Sequence, residues 1–170
     1  MISDGKPILD ACCGGKMFWF DKANPNVIYI DNRIMEKQTI WKSKDGSKTR
    51  EFEVMPDIVA DFQKLPFPDN SFYHVVFDPP HLTRAGETSW LAKKYGRLEK
   101  NWREMITNGF RECMRVLKPY GTMVFKWNEM DIKVSEIIGL CEQQPLYGHR
   151  SGKGGKTHWL VFMKFPTNKP

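Results

Sequence analysis

The run Tyr73-His74-Val75-Val76-Phe77, followed at once by Asp78-Pro79-Pro80-His81, constrains this chain more than any other stretch. Five mostly apolar, β-branched or aromatic residues read as a short buried strand. The strand stops at a carboxylate and two prolines. Proline fixes φ and lacks an N–H, and Pro79 also keeps Asp78 out of the helical region. The result is a stiff turn that presents the Asp78 carboxylate, the Pro79 carbonyl and the His81 ring in fixed relative positions. Two acceptors beneath a flat ring suit a planar group that carries an exocyclic NH2, whose two N–H bonds they accept while the ring stacks on its face. A strand-ending turn with a structural aspartate is the plain alternative.

The strand-then-acid pattern recurs upstream. Lys6-Pro7-Ile8-Leu9-Asp10 reads as a first strand, Ala11-Cys12-Cys13-Gly14-Gly15-Lys16 as a glycine turn, and Met17-Phe18-Trp19-Phe20 as the opening of a helix. Strand, glycine turn and helix form the layout in which a backbone approaches a ligand closely. Val27-Ile28-Tyr29-Ile30-Asp31 is a second strand. Asp31 follows Asp10 by 21 residues, close to the spacing at which an acid reaches ribose hydroxyls in Rossmann-like folds; a turn or cap aspartate is the duller reading. Residues 38–54 alternate around Asp45-Gly46 and predict a hairpin. Asp57 to Phe62 reads as a third short strand, and Leu65 to Phe72 as a turn-rich loop into the fourth.

Residues 82–100 are polar, basic and weakly patterned, and predict a loop or short helix over the site. Within it, Trp90 either stacks a base or anchors the loop to the core, while Lys93, Lys94 and Arg97 are placed to meet phosphate. Trp102, Met105, Ile106, Phe110, Cys113, Met114 and Leu117 recur at helical spacing, and Lys118-Pro119-Tyr120-Gly121 ends that helix. Met123 to Trp127 is a fifth strand. Lys126 falls at its C-terminal edge, as a substrate contact or as a surface charge. Residues 131–143 predict another amphipathic helix, and 145–165 a hairpin around the basic loop holding Lys153 and Lys156. Gly154-Gly155-Lys156-Thr157 lacks the first glycine of a phosphate-binding loop, and a strand follows it rather than a helix.

Asp78-Pro79-Pro80-His81 resembles the Asp-Pro-Pro-Tyr motif of amino-directed S-adenosylmethionine-dependent methyltransferases of class I. The last position departs from the usual Tyr, Phe or Trp: histidine stacks more weakly and titrates near neutral pH. The turn after Asp10 is similar to the family's Asp-x-Gly-x-Gly-x-Gly, with Cys12 and Lys16 in place of two glycines. Asp61-Phe62 followed by Leu-Pro-Phe-Pro-Asp-x-Ser-Phe, and Leu117-Lys118-Pro119 before a strand, also resemble that family. The order of these motifs, more than any one of them, carries the resemblance from Ile8 to Phe165. It implies an α/β, Rossmann-like single domain over 1–170, with a mostly parallel seven-stranded sheet, a C-terminal antiparallel hairpin and a hairpin insertion after the second strand. It further implies S-adenosylmethionine as cofactor, held by Asp10, Cys12, Gly14, Asp31, Asp61 and Phe62. Catalysis would rest on Asp78, Pro79, Pro80 and His81. The implied acceptor is adenine N6 or cytosine N4 in DNA or RNA, with target reading by the loops at 82–100 and 151–156 or by a protein partner. Methylation of a small molecule or of a protein amide, and a non-catalytic nucleic-acid-binding module, are the alternatives.

Charge bears on the partner. Net charge is +6, yet residues 81–118 carry nine Lys/Arg against four acids, and residues 145–170 carry five against none. Positive charge gathered into two segments is what phosphate-backbone binding requires, although solvated surface produces the same pattern. The cysteines Cys12, Cys13, Cys113 and Cys141 lack the spacing of a metal site and read as reduced thiols. No run approaches the roughly 20 apolar residues of a membrane span, and the N-terminus lacks a signal-peptide layout. A cytoplasmic protein without membrane contact is the expectation.

Overall fold

The computed structural model describes residues 5–86 and 89–166. In chain order the elements are β1 (Ile8–Asp10), β2 (Val27–Asp31), β3 (Met35–Lys42), β4 (Thr49–Val54), β5 (Ile58–Val59), β6 (Phe72–Phe77), α1 (Trp90–Tyr95), α2 (Trp102–Val116), β7 (Leu117–Asn128), α3 (Val134–Ile138), β8 (Tyr147–Ser151) and β9 (Thr157–Met163). Seven strands form one sheet in the order β5-β2-β1-β6-β7-β9-β8. The first five of these run parallel, and β9 is antiparallel to both β7 and β8. This is the mostly parallel seven-stranded α/β sheet with a closing hairpin that the sequence predicts.

The strand order reverses between β1 and β6. From β1 the chain builds outward through β2 and β5; from β6 it builds the other way. Such a reversal opens a crevice at the carboxyl ends of the two strands, where open α/β sheets bind ligands. Asp10 pairs with Val76, and the Ala11 N–H donates to the Val76 carbonyl at 2.9 Å, so the glycine turn and the Asp78 corner leave the sheet side by side.

The main core packs around α2. Helix α2 buries Trp102, Met105, Ile106, Phe110, Cys113 and Val116 against Leu9, Ile30, Phe77, Met123, Phe125 and Phe162. Each large apolar side chain so buried contributes about 1.5–3 kcal/mol. Gly109 sets the approach of helix to sheet: a Cβ there would lie 2.6 Å from the Phe62 ring and 2.8 Å from that of Phe77. A second, smaller cluster of Cys13, Val27 and Tyr29, with Ile8 and Trp19 packed against it, lies apart from this core.

Three expectations change. Met17 to Phe20 opens no helix. Gly14 and Lys16 sit at φ +48° and +52°, outside the right-handed helical region, and residues 11–26 run as turns. The helix expected over 131–143 shrinks to Val134–Ile138, because Gly139 is a poor helix former and the chain continues as tight turns. The third strand keeps only Ile58–Val59. The segment over 82–100 contains α1, whose Ser89 side chain caps Ala92; Glu87 and Thr88 lie outside the described residues. No described helix is long and apolar enough to cross a membrane.

Candidate active site

A cavity of about 260 Å³ opens at the strand-order reversal. It gathers Cys12 and Gly14 from the turn after β1, Asp31 from β2, Asp61 and Phe62 beyond β5, and all of Asp78-Pro79-Pro80-His81 beyond β6. Phe18, Arg33, Lys94, Tyr95, Gly96 and Arg97 close it. Residues spread over more than 80 positions thus meet in one hollow because their strands are neighbours in the sheet.

The glycine turn is held by its own backbone. The Cys13 N–H donates to the Ile30 carbonyl at 2.7 Å, and the Gly14 N–H donates to Asp31 Oδ2 at 2.9 Å. Gly14 can take its left-handed conformation without steric cost. Phe52 from the β3–β4 hairpin lies over Gly15 and roofs the turn.

Asp10, predicted to contact cofactor, does not line the cavity. It is fully buried, accepting from the Trp19 indole at 2.7 Å and from the Cys12 N–H at 3.3 Å. Burial pushes its carboxyl up to about 7, against the lowering effect of those two donors; the nearby negative charges of Asp78 and Asp31 push the same way. Asp10 therefore fastens the turn and holds a proton far above the usual carboxylate range, up to about pH 7. Burial also drives the Cys12 and Cys13 thiols upward, so both are protonated and poor nucleophiles.

Asp31 is almost fully buried and accepts four N–H bonds. These come from Gly14, from the Arg33 backbone at 3.0 Å, and from Arg33 Nε and Nη2 at 2.9 and 3.1 Å. Arg33 Nη1 donates to the Lys93 carbonyl of α1 at 3.3 Å. Asp61 is exposed at the rim, steadied by the Gln63 backbone and amide. Phe62 is buried edge-on to Phe77.

At the Asp-Pro-Pro-His corner, Lys126 Nζ lies 2.5 Å from Asp78 Oδ2, so the lysine reads neither as open surface nor as a free phosphate contact. Its ammonium also faces the rings of Phe18 and Trp159 at 5.4 and 5.6 Å. The His81 ring is buried, 5.6 Å from Tyr95 and 6.2 Å from Trp127. Burial lowers its pKa, partly offset by the Asp78 charge, so His81 is neutral at pH 7.

The remaining basic and aromatic candidates divide. Lys94 and Arg97 line the cavity. Trp90 faces the Arg50 guanidinium at 5.3 Å, and Lys93 Nζ reaches Gln38 at 3.4 Å; both tie α1 to the hairpin and lie away from the cavity wall. Lys153 and Lys156 are exposed on the loop between β8 and β9. A second cleft of about 380 Å³ adjoins the first through Met17 and Lys94, and is lined by Lys22, Lys37 and Arg50 with Glu51 and Glu53. Among the described residues, no group of three or more His, Cys, Asp or Glu is placed to hold a metal. Sequence reasoning missed Arg33. The available signal was an arginine two residues past a strand-ending acid, close enough to fold back on it.

No protein-family model matches the sequence, and a search of curated proteins found no match. Among solved structures, the PH0226 protein from Pyrococcus horikoshii OT3 aligns with 93% of this chain and 81% of its own, at 15% identity and a TM-score of 0.52. A SAM-dependent methyltransferase from Methanosarcina mazei aligns with 94% of this chain and 92% of its own, at 13% identity and a TM-score of 0.51. The likeness is one of fold: this chain shares the α/β architecture of those two proteins along nearly its whole length.

Proposed function

We propose that this chain is an S-adenosylmethionine-dependent N-methyltransferase acting on an exocyclic amino group of a nucleic-acid base, adenine N6 or cytosine N4. The observation that carries the reading is a single cavity in which Asp78-Pro79-Pro80-His81 faces Gly14, Asp31, Asp61 and Phe62. The fold shared with a SAM-dependent methyltransferase supports it.

The donor set fits such a cofactor. Asp31 would take the ribose hydroxyls once Arg33 yields, Asp61 and the Phe62 backbone would take the adenine, and the Gly14 turn leaves room for close approach. When bound, the cofactor supplies an electrophilic methyl group. The chain's own residues then do three things. Asp78 Oδ1 and the Pro79 carbonyl accept the two amine hydrogens and fix the nitrogen. The Asp78 bond strengthens as that nitrogen gains positive charge, so it favours the transition state over the ground state. Neutral His81, in a ring cluster with Tyr95, offers a face to the base without adding a second positive charge. Lys94 and Arg97 at the mouth, and Lys22, Lys37 and Arg50 in the adjoining cleft, supply charge for a phosphate backbone.

Radiolabelled cofactor mixed with DNA, RNA or peptides tests the reading. Label in nucleic acid, lost with Asp78→Ala, is the expected result; label entering protein alone overturns the acceptor assignment. One observation favours a second reading, a nucleic-acid-binding module without catalysis: Asp31 and Asp78 are both already paired to cations of the same chain. Calorimetry separates the two, because the module binds no cofactor.

A further inference from the structure

We infer that Arg33 is a latch: it holds α1 closed over the acceptor corner and releases it when the cofactor ribose takes Asp31. This rests on the methyltransferase reading and concerns how that site is regulated.

A carboxylate offers about four lone-pair positions, and Asp31 already accepts four N–H bonds. Ribose hydroxyls therefore bind Asp31 only by exchange. Two of the four donors are backbone N–H groups, that of Gly14 in the turn after β1 and that of Arg33 itself. The other two belong to the Arg33 guanidinium, the only side-chain group among the donors, whose side chain is 30% exposed. That group is planar and rigid. Nε and Nη2 hold Asp31 while Nη1 holds the Lys93 carbonyl, so rotation off the acid breaks both attachments together.

The α1 end of the latch reaches the acceptor corner. A Cβ on Gly96 would lie 2.9 Å from Pro80 Cγ, Tyr95 rests against His81, and the Leu98 N–H donates to the Leu82 carbonyl at 2.9 Å. The hollow beneath, about 260 Å³, is smaller than the roughly 300–1,000 Å³ usual for one ligand, and the proposed reaction needs two. Release of α1 supplies that room, so cofactor binds before acceptor.

Linkage makes the effect reciprocal: whatever factor the latch costs in cofactor affinity, cofactor repays in opening of α1. Calorimetry with S-adenosylmethionine and hydrogen exchange of the Lys93 and Gly96 amides read the two sides on the intact chain. In the wild type, cofactor is expected to speed exchange at these amides about five-fold or more, the lower end of ordinary coupling. Arg33→Gln is expected to show that faster exchange without cofactor and to bind cofactor tighter by a similar factor. Arg33→Lys keeps the charge but not the fork, and should move both readouts the same way. Weaker cofactor binding by Arg33→Gln, or unchanged α1 exchange in a wild-type protein that binds cofactor, overturns the latch and leaves the methyltransferase reading standing. Absence of cofactor binding in wild type and variants alike overturns both.

Discussion

Asp10 gives the sharpest test of how the site is built, through the dependence of stability on pH. Its carboxyl is fully buried and its pKa rises from 3.8 to about 7, first because of burial and then because Asp78 and Asp31 lie near. The folded state therefore holds this proton more tightly than the unfolded chain. Between about pH 4 and pH 7 folding takes up a proton, so stability falls as pH rises through that window and the loss is complete above about 7. For these two pKa values, linkage makes Asp10 cost roughly 2.5 kcal/mol of stability between pH 5 and pH 8. Half-buried His74 and buried His81 act with the opposite sign. Their pKa values are lowered by burial, so their contribution is present above about 6.5 and lost as pH falls. Asp10→Asn isolates the aspartate, because the histidines contribute equally to both proteins. The variant loses one acceptor and faces the Cys12 N–H with an amide, a cost of about 1–3 kcal/mol. That offset moves the asparagine curve without tilting it. Urea denaturation at half-unit steps from pH 5 to 8 reads the difference. Wild type should lose about 2.5 kcal/mol more than Asp10→Asn across that range. Parallel curves would show that Asp10 is ionised and solvated, and the account of the turn would fail.

Three further outcomes follow from the same geometry. Asp78→Ala should lower the methyl-transfer rate by about 10² or more, as expected for a group that acts on developing charge, while calorimetry shows cofactor affinity within a few-fold of wild type. Gly109→Val forces a side chain into Phe62 and Phe77, so chemical denaturation should show a loss of about 1–3 kcal/mol from overpacking. His81 should titrate below 6.5 in a ring-proton NMR experiment, because burial dominates over the attraction of Asp78.

The sequence was most legible where the local pattern and the tertiary environment agree. β2 and β6 read as apolar runs ending in acids because both are buried strands whose carboxyl ends reach the crevice. Helix α2 matches its periodicity to within a residue because its stripe faces one uninterrupted sheet surface. The Asp-Pro-Pro corner was legible because proline chemistry is local. Legibility failed where long-range contacts decide. Met17 to Phe20 looks like a helix start, but the Trp19 indole is recruited to Asp10 and Lys16 just before it sits at positive φ. Asp10 looked like a ligand residue, and nothing in its neighbours in sequence announces that β2 and β6 enclose it. Lys126 read as a substrate contact or a surface charge, and Arg33 drew no reading. Their partners, Asp78 and the Lys93 carbonyl, lie 48 and 60 residues away.

The central claim is that Asp78 and Pro79 present an amine to a methyl donor held by Gly14, Asp31, Asp61 and Phe62. The most direct measurement is single-turnover transfer of labelled methyl from S-adenosylmethionine to adenine- and cytosine-containing DNA and RNA, with wild type beside Asp78→Ala. The account predicts label on a base amino nitrogen with wild type, and its loss with the variant despite retained cofactor binding. Transfer that survives loss of the Asp78 carboxylate would contradict it.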